Sequence, residues 1–135
     1  MKMLLAAQLF MEDLAAKELK YSYRENGDDV IVNFPYDGKF TNFVFRGPDG
    51  CYVSMYTIFE SIPAEKVPDM LVVCNQINAK YKWLKFYVDK DNDIMVEDDA
   101  IVTPDNAADE CFELLARRIN ILKEVKPIIM RAIYA

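Results

Sequence analysis

The sequence predicts an α+β fold, an antiparallel sheet covered by helices in the order α-β-β-β(-β)-α-β-β-α. Three observations carry that prediction. Three segments, near residues 2–20, 63–81 and 103–135, repeat apolar residues at helical spacing. Between them lie short runs of β-branched and aromatic residues, separated by Asn-Gly-Asp, Tyr-Asp-Gly, Gly-Pro-Asp-Gly and Lys-Asp-Asn-Asp turns. No repeat, low-complexity tract or linker interrupts the chain, so residues 1–135 read as one domain.

The first helix is expected from about Lys2 to Lys20. Met3, Ala7, Phe10 and Leu14 share one side, while Gln8, Glu12, Lys17 and Lys20 lie elsewhere. A secretory signal would also begin with a lysine and an apolar run. Gln8 interrupts that run, and Glu12 and Asp13 follow it directly, so the helix is the better reading.

Strands are expected on both sides of Asn26-Gly27-Asp28, then over 40–46, and again from Cys51 after the GPDG turn. In the second helix Pro63 marks the start and Pro68 falls in the first turn, where a missing N–H does little harm. Its apolar stripe is expected to contain Val67, Met70, Leu71, Cys74, Ile77 and Tyr81. A strand over KWLKFYVD, a turn at KDND and a return strand over DIMVEDDAIV follow. Thr103 is expected to cap the last helix, with Pro104 in its first turn and Pro127 kinking or restarting it. Acids early in this helix and Arg117, Arg118, Lys123 and Lys126 later complement its dipole.

Composition narrows the chemistry. The chain has 135 residues, is 53% hydrophobic and carries a formal charge of −6 with no basic block. Such a surface is repelled by phosphate backbones and anionic lipid, so neither nucleic acid nor membrane is the expected partner. There is no histidine, which removes Ser-His and Cys-His nucleophile pairs and the commonest zinc ligand. Cys51, Cys74 and Cys111 are far apart and odd in number, the pattern of reduced thiols in a cytoplasm. No cofactor is expected. Ser54 and the cysteines lack a recognisable base or a glycine-rich oxyanion setting, so the chain reads as a non-enzyme.

The segment VDKDNDIMVEDD is the most chemically suggestive. As a calcium loop beginning at Asp89 it has aspartates at the first, third and fifth positions. It has Ile94 where glycine is needed and Ala100 where a bidentate glutamate is needed. Ile94 and Val96 alternate with Met95, Glu97 and Asp99, as a half-buried strand requires. The segment is therefore expected to be a hairpin without a metal, and Glu97, Asp98 and Asp99 a solvated edge rather than paired catalytic acids.

Alternation assigns Val30, Val32, Phe34, Phe43, Phe45, Val53, Met55, Leu84, Phe86, Ile94 and Val96 to the helix-covered face. The opposite face receives Ile31, Val44, Tyr52, Tyr56, Trp83, Tyr87 and Met95 among Asn33, Asn42, Arg46, Ser54 and Lys85. Tyrosine and tryptophan among small polar groups suit a protein interface, because their rings bury area at low entropy cost. Tyr52, Tyr56, Trp83 and Tyr87, with Arg46 and Lys85 as orienting charges, are the candidate interaction residues. The competing reading is cross-strand aromatic pairing that only stabilises the sheet.

The stretch IPAEKVPDMLVVCNQINAKYKWLKFYVDKDNDIMVEDD, followed by a long helix ending KPIIMRAIYA, resembles the bacterial YbjN-like family of sensory transduction regulators. Pro63, Asn78 as a helix-ending residue, Trp83, Phe86, Asp91 and Pro127 carry the resemblance. It implies a fold similar to type III secretion chaperones, often dimeric, and brings no catalytic residue with it. The expectation is a non-enzymatic, cytoplasmic module with a regulatory or chaperone-like role, a homodimer that binds protein segments. The alternative is a small-ligand-sensing regulatory domain.

Overall fold

A computed structural model describes residues 3–135; the expected helix start at Lys2 lies outside them. The element order is α1 (Leu5–Ala16), β1 (Ser22–Asn26), β2 (Asp29–Tyr36), β3 (Lys39–Arg46), β4 (Tyr52–Ser61), α2 (Val67–Lys80), β5 (Lys85–Val88), β6 (Asp93–Ile101) and α3 (Ala107–Tyr134). The strands form one antiparallel sheet in the order β1-β2-β3-β4-β6-β5. The expected α+β class and element order are those observed, with four strands before α2.

The chain divides into two compact units. Of the described residues, one comprises those up to Thr57 together with Asp99–Glu113, the other Ile58–Asp98 and Leu114–Ala135. In the first, two tight turns set the register. Asn26 faces Asp29 across Gly27-Asp28, and Tyr36 faces Lys39 across Asp37-Gly38. Both Asp37 and Gly38 have positive φ, as a two-residue hairpin turn demands. The core of this unit is aromatic: Phe10 of α1 lies 4.6 Å from the Phe43 ring and 5.9 Å from Phe45. Thr41 and Thr57, opposite each other on β3 and β4, share a buried hydroxyl hydrogen bond of 2.9 Å.

Helix α1 stops earlier than its periodicity suggests. Glu18 takes φ +59°, its N–H bonds to the Ala15 carbonyl, and the Leu19 N–H bonds back to Leu14. That pair of bonds is a Schellman closure, normally built on glycine, so a glutamate hides the stop signal.

The second unit packs Phe59, Ile62, Met70, Cys74, Ile77, Phe86, Ile94, Val96, Val125, Ile129 and Ile133 into one core. Pro68 sits in the first turn of α2, as expected, after a short 3-10 turn over Ala64–Lys66. Leu71 does not join the stripe; it is 54% exposed, one step around the helix from Met70. Asn78 does not end α2, which continues to Lys80. Its side chain instead reaches β5, where Nδ2 donates to the Phe86 carbonyl at 2.9 Å and Oδ1 accepts the Phe86 N–H at 2.8 Å.

Helix α3 differs from expectation at both marked positions. It starts after Asn106, not at Thr103: Asn106 accepts the Thr103 N–H on its side chain and the Glu110 N–H on its carbonyl. At Pro127 the helix runs through without a break. Proline removes one ladder bond, while Val125, Ile129 and Ile133 remain buried on one stripe either side of it.

Candidate functional site

All eleven residues assigned to the helix-covered face are buried. On the opposite side two expectations change. Ile31 and Val44, directly paired on β2 and β3, are 6% and 2% exposed, so the face they occupy in the first unit is not an open apolar surface.

The six candidate interaction residues fall in different units. Arg46, Tyr52 and Tyr56 belong to the first; Trp83, Lys85 and Tyr87 belong to the second. Arg46 and Tyr52 are brought together as register partners on β3 and β4. With Val53, Ser54, Asp99, Ala100 and Ile101 they line an open cleft of about 450 Å³. Tyr52 is half exposed and Ile101 is 82% exposed, which leaves a ring and an aliphatic side chain available at the cleft. Arg46 supplies positive charge, held by Asp29 with Nε to Oδ2 at 3.7 Å. The Tyr52 ring lies over Gly47, whose φ is +76°; a Cβ there would sit 2.2 Å from the ring. A glycine is required for that packing. Tyr56, half-buried opposite Asn42, is not a lining residue of the cleft.

In the second unit the three candidates make internal contacts. The Tyr87 hydroxyl donates to Glu97 Oε2 at 2.7 Å, and the Lys85 ammonium lies 5.2 Å from the Tyr87 ring. Lys85 faces Glu97 across the hairpin. This is cross-strand pairing of the sheet-stabilising kind. Trp83 is not part of a strand at all. It takes φ +79° in the connection between α2 and β5, which breaks the alternation that placed it beside Lys85. Its ring packs 5.1 Å from the Arg117 guanidinium on α3 and remains 58% exposed.

The acidic segment is a hairpin. Asp89 Oδ1 accepts the N–H groups of both Asp91 and Asp93 at 2.9 Å, and Asn92 takes φ +60°. Asx chemistry at the turn accounts for that aspartate. The expected solvated edge is corrected at Asp98. It is buried, on a strand inside the sheet order, and its Oδ1 lies 2.5 Å from Nη2 of Arg118. Arg118 is fully buried and also donates through Nη1 to the Val96 carbonyl at 3.1 Å. Burial lowers the guanidinium pKa, and Asp98 first, then Glu97, opposes that shift. A sequence signal existed: Arg118 lies seven residues from both Cys111 and Val125, on the apolar stripe of α3, where a charge requires a buried partner.

Two of the thiols, Cys51 and Cys74, are held toward the protonated form. Burial pushes Cys74 up to about 11. Burial, and then the neighbouring charge of Asp49, raises Cys51. A raised pKa keeps the thiol protonated near neutrality and suppresses the reactive thiolate. Among the described residues, no helix is long and apolar enough to cross a membrane.

A family model described as "YbjN: Putative bacterial sensory transduction regulator" matches residues 7–118. A comparison with curated proteins finds no match. Among solved structures, the crystal structure of YbjN, described as "a putative transcription regulator from E. coli", aligns with a TM-score of 0.55 and 14% identity. It covers 90% of this chain and 91% of that one. At that identity the likeness is one of fold.

Proposed function

The chain belongs to the YbjN family, and on that premise we propose that it is a non-enzymatic interaction module with a regulatory or chaperone-like role in a bacterial cytoplasm. It binds a protein segment at the Arg46–Tyr52 cleft and associates with itself as a homodimer. The family's description as sensory transduction regulators supports the regulatory part. The family resemblance implies a fold similar to type III secretion chaperones, and that implication supports the binding part by analogy of fold alone.

One observation carries the reading. A half-exposed tyrosine and a highly exposed isoleucine flank an open cleft beside an arginine. Tyr52 and Ile101 provide apolar contact for a side chain of the bound segment, and Arg46 orients an acidic group next to it. Tyr87, Lys85 and Trp83 contribute less to binding in this reading, because their polar or ring surfaces already meet Glu97 and Arg117.

Affinity capture from the native cytoplasm, compared between wild type and an Arg46→Ala, Tyr52→Ala double variant, tests it. The wild type is expected to retain a partner that the variant loses at unchanged melting temperature. Identical capture by both proteins refutes the cleft as the docking site.

The cleft volume also suits a small ligand, since such pockets typically span about 300–1,000 Å³. A metabolite carrying one acidic group is the class that Arg46 selects. A rise in melting temperature with such a compound, abolished by Arg46→Ala, favours this second reading.

A further inference from the structure

The two ends of the sheet order differ in how their backbone is satisfied. At β5 the Phe86 amide and carbonyl are bonded by Asn78. At the other end, every residue of β1 is exposed. Asn26 faces Asp29 across a two-residue turn, so Ser22, Arg24 and Asn26 direct their N–H and C=O groups toward β2. Tyr23 and Glu25 direct theirs outward. An exposed edge of this kind is a template for another strand.

We infer that β1 pairs antiparallel with β1 of a second copy of this chain, about a two-fold axis at Tyr23. The inference rests on the self-association part of the function proposed above and adds where that contact lies.

The register follows from charge. Outward-directed groups face one another for a two-fold axis at any residue of β1. An axis at Ser22 or Asn26, the two ends, sets only that one residue of β1 opposite β1, which leaves Tyr23, Arg24 and Glu25 as centres. Centring on Arg24 sets two guanidinium groups opposite each other, and centring on Glu25 sets two carboxylates opposite each other; like charges in directly opposed positions destabilise a ladder. Centring on Tyr23 sets Tyr23 opposite the partner's Tyr23, Arg24 opposite Ser22, and Glu25 opposite Tyr21. It places no like charges in opposition, and it covers a tyrosine that is 51% exposed. Five residues a side is a small contact, so the dimer is reversible and concentration-dependent.

Sedimentation velocity over a hundredfold concentration range tests the inference, together with photo-oxidative tyrosine cross-linking mapped by mass spectrometry. Wild type is expected to shift from monomer toward dimer and to give a Tyr23–Tyr23 link. Tyr23→Pro removes the outward N–H at the axis, a change an edge strand tolerates, and is expected to weaken association at least tenfold. Arg24→Ala, which leaves every outward backbone group in place, is expected to keep it. Should Tyr23→Pro fail to fold, Glu25→Pro removes a flanking outward N–H, and the wild-type cross-link needs no variant. A dimer that lacks the Tyr23 link and survives these prolines overturns the β1 contact while leaving self-association standing. A monomer at every concentration overturns both.

Discussion

The Asn78 side chain meets Phe86 as a neighbouring peptide would: its amide donates to the carbonyl and accepts from the N–H of one residue. An α-helical side chain thereby completes the ladder at the last strand of the sheet order. Edges are usually blunted by charge, proline or bulges; here the blunting is a pair of hydrogen bonds.

Replacing Asn78 by alanine leaves both Phe86 groups without these partners. We expect a loss of about 2–3 kcal/mol, from two bonds at roughly 1 kcal/mol each plus desolvation. Asn78→Asp should be no better, because the carboxylate cannot donate to the Phe86 carbonyl. Urea unfolding checks both, and a change within about 0.5 kcal/mol, the range of ordinary surface substitutions, contradicts the assignment.

The Arg118–Asp98 pair predicts a strong asymmetry. Asp98→Ala strips a fully buried guanidinium of its carboxylate and should cost about 3–5 kcal/mol. A paired Asp98→Leu, Arg118→Met replacement should recover most of that loss, since the desolvation of both charges is removed. A double-mutant cycle by denaturant titration measures the coupling, and additive single losses would show that the pair does not act as a unit.

At Trp83 backbone strain and ring contact oppose each other. A tryptophan at φ +79° is strained, whereas glycine is not. Trp83→Gly should therefore be more stable than Trp83→Ala by about 1 kcal/mol, although both lose the Arg117 contact. Thermal unfolding of the two variants decides it; equal stability would mean that the connection relaxes once the ring is gone.

The Cys74 thiol gives a pH dependence with a definite sign. Its folded pKa, about 11, lies above the reference value of 9.0, so the native state holds the proton when the unfolded chain has lost it. Its contribution is fully present below pH 9 and disappears as the pH rises toward 11. Stability should fall over that window in wild type and fall less in Cys74→Val. Equal slopes in the two proteins would locate the alkaline transition at other groups. At pH 8 Cys74 and the buried Cys111 should resist a thiol reagent until the protein unfolds.

How much of this was legible in the sequence depends on the range of the signal. Strand alternation identifies all eleven core-face residues, and the turns at Gly27-Asp28, Asp37-Gly38 and within Lys90–Asp93 are readable because turn chemistry is local. Where an unusual residue occupies a special backbone position, local pattern does not reveal it. Glu18 ends α1 at a left-handed position, so apolar periodicity overruns the helix; Trp83 takes positive φ, so strand alternation does not place its side chain. Helix α3 begins after Asn106 and not at Thr103, because the Asn106 side chain is turned back to the Thr103 N–H while its carbonyl accepts the Glu110 N–H. Of the candidate interaction residues, Arg46 and Tyr52 come together at one cleft, while Lys85 and Tyr87 meet their own hairpin.

By itself, then, the sequence determined the fold class, the element order and the side of the sheet on which the aliphatic and phenylalanine residues lie. These follow from periodicity within single segments, where a side chain's direction depends on its near neighbours. Tertiary structure alone decided the polar partners: Asp98 with Arg118, Asn78 with Phe86, Trp83 with Arg117, and Tyr52 over Gly47. A hydrogen bond, ion pair or ring contact acts over a few ångströms between residues that the fold has to bring together, and no local repeat encodes which two will meet.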